Sequence, residues 1–118
     1  MEKGDVWEAA NFASFHRLGN LIAILDIHHL SQNEESIYNH QSDEYEKRFK
    51  AFGFEAITID GHDLNELDTA LHIAHQSTYK PVAIIVNTLI CKEIFCKEGR
   101  VGWQDKVPNA NQLSQALN

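Results

Sequence analysis

The sequence predicts one α/β domain over residues 1–118, a three-layer arrangement of βαβ units around a short parallel sheet. Two observations carry this reading. Three short apolar runs, Leu21–Ile27, Ala56–Ile59 and Val82–Val86, are almost unbroken, as befits strands covered on both faces. Between them lie segments whose apolar residues recur at intervals of three and four, and crossovers of that length return the chain in the same direction.

Taken in order, Val6, Ala9, Ala10, Ala13 and Leu18 fall at helical spacing, with Asp5 as the expected N-cap and Glu8 three residues on; this helix ends near Gly19. The strand Leu21–Ile27 follows, interrupted only by Asp26, and the polar stretch Ser31–Gln41 reads as a loop. Ser42–Phe52 is a second helix, with Ser42 at its amino end and Gly53 as its stop. After the strand Ala56–Ile59, Asp60-Gly61-His62-Asp63 forms a turn whose Asp63 caps a third helix carrying Leu64, Leu67, Ala70, Leu71 and Ala74. Pro81 opens the strand Val82–Val86. The tail beyond Leu89 is irregular, with one short helix from Asn111 to Leu117. No repeat, low-complexity tract or Pro-rich linker divides the chain.

Composition narrows the functional classes. Seventeen acidic against ten basic residues give a formal charge of −7, and no stripe of Lys and Arg exists to displace counterions from a phosphate backbone, so nucleic acid is excluded as a partner. No apolar run reaches the roughly 20 residues that span a bilayer and no signal peptide is recognisable, which places the chain in the cytoplasm without a membrane partner. Cys91 and Cys96 are the only cysteines; a lone C-x4-C pair without further ligands at finger spacing reads as two ordinary thiols.

Ligands of open α/β sheets bind at the carboxyl ends of strands, which here carry Asp26, His28 and Leu30. His28, His29 and His62 invite a metal reading, because imidazole is the commonest transition-metal ligand. Adjacent residues on an extended segment point to opposite faces, however, so His28 and His29 do not converge on one ion, and a loop with solvated imidazoles is the simpler expectation. His62 belongs to a turn whose shape accounts for it, the acidic pairs Glu34-Glu35 and Asp43-Glu44 sit on polar segments, and His16, His40, His72 and His75 offer no triad. Trp7, Phe12, Phe15, Phe49 and Phe52 lie at helical positions, most of them suited to packing on the sheet at about 2 kcal/mol for each fully buried side chain, with some helix faces left exposed or set against another copy.

A set of ordered pieces resembles the thiamine-diphosphate-binding amino-terminal domain of transketolases. They are Val6-Trp7-Glu8-Ala9 with Phe12-Ala13-Ser14, then Asn20–Ile27, then His40-Gln41-Ser42-Asp43 with Tyr45, Lys47, Arg48 and Ala51-Phe52-Gly53. Asp60-Gly61-His62-Asp63, Lys80-Pro81, Ala83-Ile84-Ile85, Asn87-Thr88, Val101-Gly102-Trp103, Lys106, Pro108 and Asn109 complete the series, which covers nearly the whole chain. The resemblance implies a partial thiamine-diphosphate-binding fold, thiamine diphosphate and Mg2+ as cofactors, and a place in transfer of a two-carbon ketol unit between sugar phosphates in the pentose phosphate pathway.

It also implies particular site residues, and this sequence departs at several of them. In the family an Asp of a Gly-Asp-Gly motif, an Asn after the strand and a backbone carbonyl hold the magnesium. Trp7-Glu8-Ala9 fixes the register and puts Gly4-Asp5 just inside the helix start, so these 118 residues contain no counterpart of the Gly-Asp-Gly. His28 stands at the Asn position, and Leu30, through its backbone carbonyl, is the matching cofactor and metal position that survives. Ile90-Cys91-Lys92-Glu93 replaces a Lys- and Gly-rich approach to the cofactor, and Gln104 stands where the family has a catalytic His. Glutamine cannot exchange a proton near neutral pH, a step worth about 10²- to 10⁴-fold. The expectation is a transketolase-family chain inactive by itself; the alternatives are a subunit of a split transketolase and a non-catalytic interaction module. The corresponding partners are a transketolase-like subunit or a second copy in a homodimer.

Overall fold

The computed structural model describes residues 4–29, 35–89 and 107–118. Helix α1 (Gly4–Phe15) leads into β1 (Ile22–His29); α2 (Glu35–Ala51), β2 (Glu55–Asp60), α3 (Leu64–Gln76) and β3 (Val82–Leu89) follow, and α4 (Ala110–Leu117) closes the chain. The three strands form one parallel sheet in the order β1-β3-β2, so β3 is central although it comes last. Parallel crossovers are right-handed. Passing from β1 over β3 to β2 and then returning to β3 therefore places α2 and α3 on opposite faces, and the predicted three-layer architecture follows from the connectivity.

Alternation along β3 builds the two halves of the core. Ala83 and Ile85 face α1 and α2 in a cluster with Ala10, Ala13, Leu25, Phe49, Phe54 and Ala56. Val82, Ile84 and Val86 face α3, against Ile59, Ala70 and Ala74. Residues 82–85 have no exposed surface at all, which explains why this strand reads as an unbroken apolar run. On β1, by contrast, Ile24 is 60% exposed, because α3 covers β2 and β3 and leaves that side of β1 open.

Trp7 joins α1 to α2. Its ring lies 5.4 Å from Phe49, 5.5 Å from Phe52 and 6.4 Å from Tyr45, and the Arg48 guanidinium sits 5.9 Å from its centroid. Phe12 and Phe15, expected to pack, are 60% and 80% exposed; they occupy the side of α1 turned away from the sheet and touch His16. Behind α2, Glu46 accepts hydrogen bonds from Lys50 Nζ and Thr58 Oγ1, tying the helix to β2. The Lys50 bond first, and the Thr58 bond second, hold the Glu46 carboxyl below its ordinary pKa.

Several boundaries differ from expectation: α1 ends at Phe15 and not near Gly19, and β3 runs past Val86 to Leu89. Asp5 lies inside the first turn of α1 rather than at its cap, where its charge still meets the positive end of the helix. The stretch expected as the loop 31–41 is helical from Glu35, so Ser42 is a buried residue in the middle of α2, not its start; residues 31–34 lie outside the described residues. The strand read as ending at Ile27 runs to His29, because β3 continues to Leu89 beside it, with His28 opposite Thr88 and His29 opposite Leu89. Asp63 caps α3 as predicted, accepting from the N–H groups of Asn65 and Glu66. Gly53 stops α2 with φ +93, a conformation that suits glycine alone. Asn109 and Gln112 close a capping box on α4.

Candidate functional site

The parallel sheet brings the carboxyl ends of its strands together, and with them Asp26 and His28 of β1, Asp60 at the end of β2 with Gly61 and His62 just beyond it, and Asn87, Thr88 and Leu89 of β3. Each of the last three residues of β3 is bound by a different element. The Thr88 hydroxyl donates to Asp26 Oδ1 of β1 at 2.6 Å. Asn87 accepts at Oδ1 from the Ser42 hydroxyl of α2, and its backbone carbonyl accepts from Gly61 N–H at 2.8 Å. Leu89 N–H donates to His62 Nε2, also at 2.8 Å.

The two faces of the sheet carry different chemistry. On the face covered by α3, residues 26, 28 and 88 form a short polar patch in which His28 Nδ1 lies 3.9 Å from the second oxygen of Asp26. Both side chains remain well exposed, at 49% and 60%, so this pair is screened by solvent. On the other face the Ser42–Asn87 contact joins α2 to β3 with both residues largely withdrawn from water. An open cleft of about 360 Å³ runs beside the carboxyl half of β1, lined by Asp26, His28, Gln41 and Tyr45 among others.

Among the described residues this arrangement can orient a polar ligand but brings together few of the donors of a magnesium site. Mg2+ demands oxygen in octahedral geometry at about 2.1 Å. The described strand ends offer one carboxylate near His28, that of Asp26; one of its oxygens is engaged by Thr88 and an imidazole stands beside it. Among the described residues no group of three His, Cys, Asp or Glu side chains could hold a metal ion. The magnesium implied by the resemblance therefore finds no such ligand set among the described residues.

Several expected site residues are placed and others are not. His28 is at the strand end and exposed, as anticipated, though on a strand and not in a loop. His62 has more than a turn's shape to account for it, since its ring is the acceptor for Leu89. Leu30, Ile90 to Glu93, Cys91, Cys96 and Gln104 lie outside the described residues. The contacts Ser42–Asn87 and Asp26–Thr88 were not foreseen. They depend on the pairing of β1 with β3 and on the position of Ser42 within α2, although the stripe of Ser42, Tyr45, Phe49 and Phe52 at intervals of three and four already placed Ser42 on the packed side of a helix.

Comparison with known proteins meets this geometry. Residues 1–105 match the family described as transketolase, thiamine diphosphate binding domain. The chain is similar to the transketolase of Homo sapiens, 40% identical over 117 residues, which is 99% of this chain and 18% of that protein. It is similar as well to transketolase-like protein 1 of Bos taurus, at 36% identity over 98% of this chain and 19% of the relative. The crystal structure of transketolase from Campylobacter jejuni superposes with a TM-score of 0.68 at 37% identity, covering 83% of this chain and 15% of that one. The chain thus spans less than a fifth of the length of these relatives. No helix among the described residues is long and apolar enough to cross a membrane.

Proposed function

Because this chain belongs to the transketolase family, through its thiamine diphosphate binding domain, we propose that it keeps that domain's sheet as a frame without holding the diphosphate and its magnesium unaided. The observation that carries this reading is the end of β1, where an imidazole, His28, stands beside an already engaged Asp26 at the position that by resemblance provides a neutral oxygen. A hard cation gains little from such a pair. Ile90 and Glu93 work in the same direction, one offering no positive charge to a phosphate and the other adding a negative one.

On this reading the chain's role is non-catalytic by itself and rests on a transketolase-like partner chain or a second copy. The acid-base position supports it too, since Gln104 holds no exchangeable proton near neutral pH. The test is a ketol-transfer assay on the 118-residue chain, with a ketose phosphate, an aldose phosphate, thiamine diphosphate and magnesium. Neither the natural chain nor the triple variant His28→Asn, Ile90→Lys, Gln104→His is expected to transfer a two-carbon unit. The relatives' activity belongs to chains more than five times as long, and three side chains do not replace that remainder. Measurable transfer by either protein contradicts the proposal.

A further inference from the structure

The contact between His62 and Leu89 restricts the protonation of the ring. A backbone N–H can only donate, so the Nε2 atom that lies 2.8 Å from Leu89 N must present its lone pair, and the single ring proton belongs on Nδ1. A second proton on Nε2 would remove the acceptor and set one N–H against another. The side chain is exposed, so solvent protons reach it.

The turn that carries His62 is held independently. Gly61 N–H donates to the Asn87 carbonyl at 2.8 Å, and a Cβ at Gly61 would fall 2.5 Å from Val86 Cγ1 and 2.6 Å from Thr88 Cγ2, so the turn lies directly on β3. Asp60 Oδ1 accepts from His62 N–H at 2.9 Å and fixes the residue's backbone. Losing the Leu89 bond therefore loosens the strand end on its β2 side without dismantling the turn, while the β1 side stays paired with His29 opposite Leu89.

We propose that His62 is a proton-operated staple: as the neutral ring it fastens the last residue of β3 to the β2–α3 turn, and as the imidazolium it releases Leu89. The charged and titratable groups around it are Asp60 and Asp63 on the turn, Glu66 on the first turn of α3, and Asp26 with His28 on β1, across Thr88. What is switched is the point from which Ile90-Cys91-Lys92-Glu93 departs. The inference rests on the hydrogen bond alone and is independent of the function proposed above.

Nitrogen–proton NMR spectra of the 118-residue chain, followed from about pH 8 to about pH 5, test it. The Leu89 amide is expected to shift upfield and lose about tenfold in exchange protection, the factor that one ordinary hydrogen bond carries. Both changes should track the titration of the His62 ring nitrogens, while the Gly61 amide stays in place. In His62→Gln, whose Oε1 accepts at any pH, the Leu89 amide should remain protected and cease to titrate; in His62→Ala it should be unprotected throughout. A Leu89 amide that ignores the His62 titration, or that still titrates in His62→Gln, overturns the proposal. The natural chain and the glutamine variant decide the matter even if the alanine variant does not fold.

Discussion

Replacing Ile84 by Ala is expected to remove about 2–5 kcal/mol of folding stability, the range for emptying a fully enclosed aliphatic site. Ile84 has no exposed surface and sits at the middle of the central strand, where it packs among Val82, Val86, Ile59, Ala70 and Ala74. Three of those five neighbours belong to other elements, so the cavity loosens β2 and α3 together. For a domain whose whole stability is on the order of 5–15 kcal/mol, such a loss approaches unfolding. Its register partner supplies the control. Ile24 pairs with Ile84 across the sheet, yet it is 60% exposed, and Ile24→Ala should change stability by no more than about 0.5 kcal/mol. Urea unfolding of the two variants measures the contrast, and equal losses at both positions would show that the open side of β1 is not open.

Gly19→Ala is expected to cost about 1–3 kcal/mol or more, for a reason unrelated to cavities. A Cβ built at Gly19 falls 2.3 Å from both the carbonyl carbon and the carbonyl oxygen of Thr78. These are backbone atoms, so no change of rotamer relieves the contact; the turn that enters β1 must move away from the segment that enters β3. That junction starts the β1–β3 ladder, since Val82 N–H donates to the Leu21 carbonyl just beyond it. Gly4→Ala, where nothing lies within 4 Å, should be tolerated. Thermal unfolding of the two alanine variants separates a glycine required by close approach from one that is not.

How much of this was legible in the sequence depended on whether the signal was local. The third helix could be read almost to the residue, because Asp63 is a cap and the apolar stripe from Leu64 to Ala74 begins directly after it. The strand at Val82 could be read as far as Val86 because burial on both faces left no polar residue over those five positions. The first part of α2 was hidden: Glu35 to Gln41 is polar apart from Ile37 and Tyr38, and Ser42, a residue type common at helix starts, is instead buried to reach Asn87. The strand ends were partly hidden too. That β1 continues through His28 and His29 follows from the length of β3 beside it, a pairing that no local pattern announces. At the site, the substitution of imidazole for a family oxygen donor was visible by resemblance, whereas the engagement of Asp26 by Thr88 and of His62 by Leu89 required the register of the sheet.

The central claim of the proposed function is electrostatic: Asp26 and His28 at the end of β1, with Ile90 and Glu93 where the family's approach to the cofactor is rich in Lys and Gly, do not by themselves hold a diphosphate with its divalent ion. Isothermal titration of thiamine diphosphate into the 118-residue chain, with and without magnesium, tests it most directly. The account predicts no saturable heat in either case; saturable, magnesium-dependent binding in the micromolar range would contradict it.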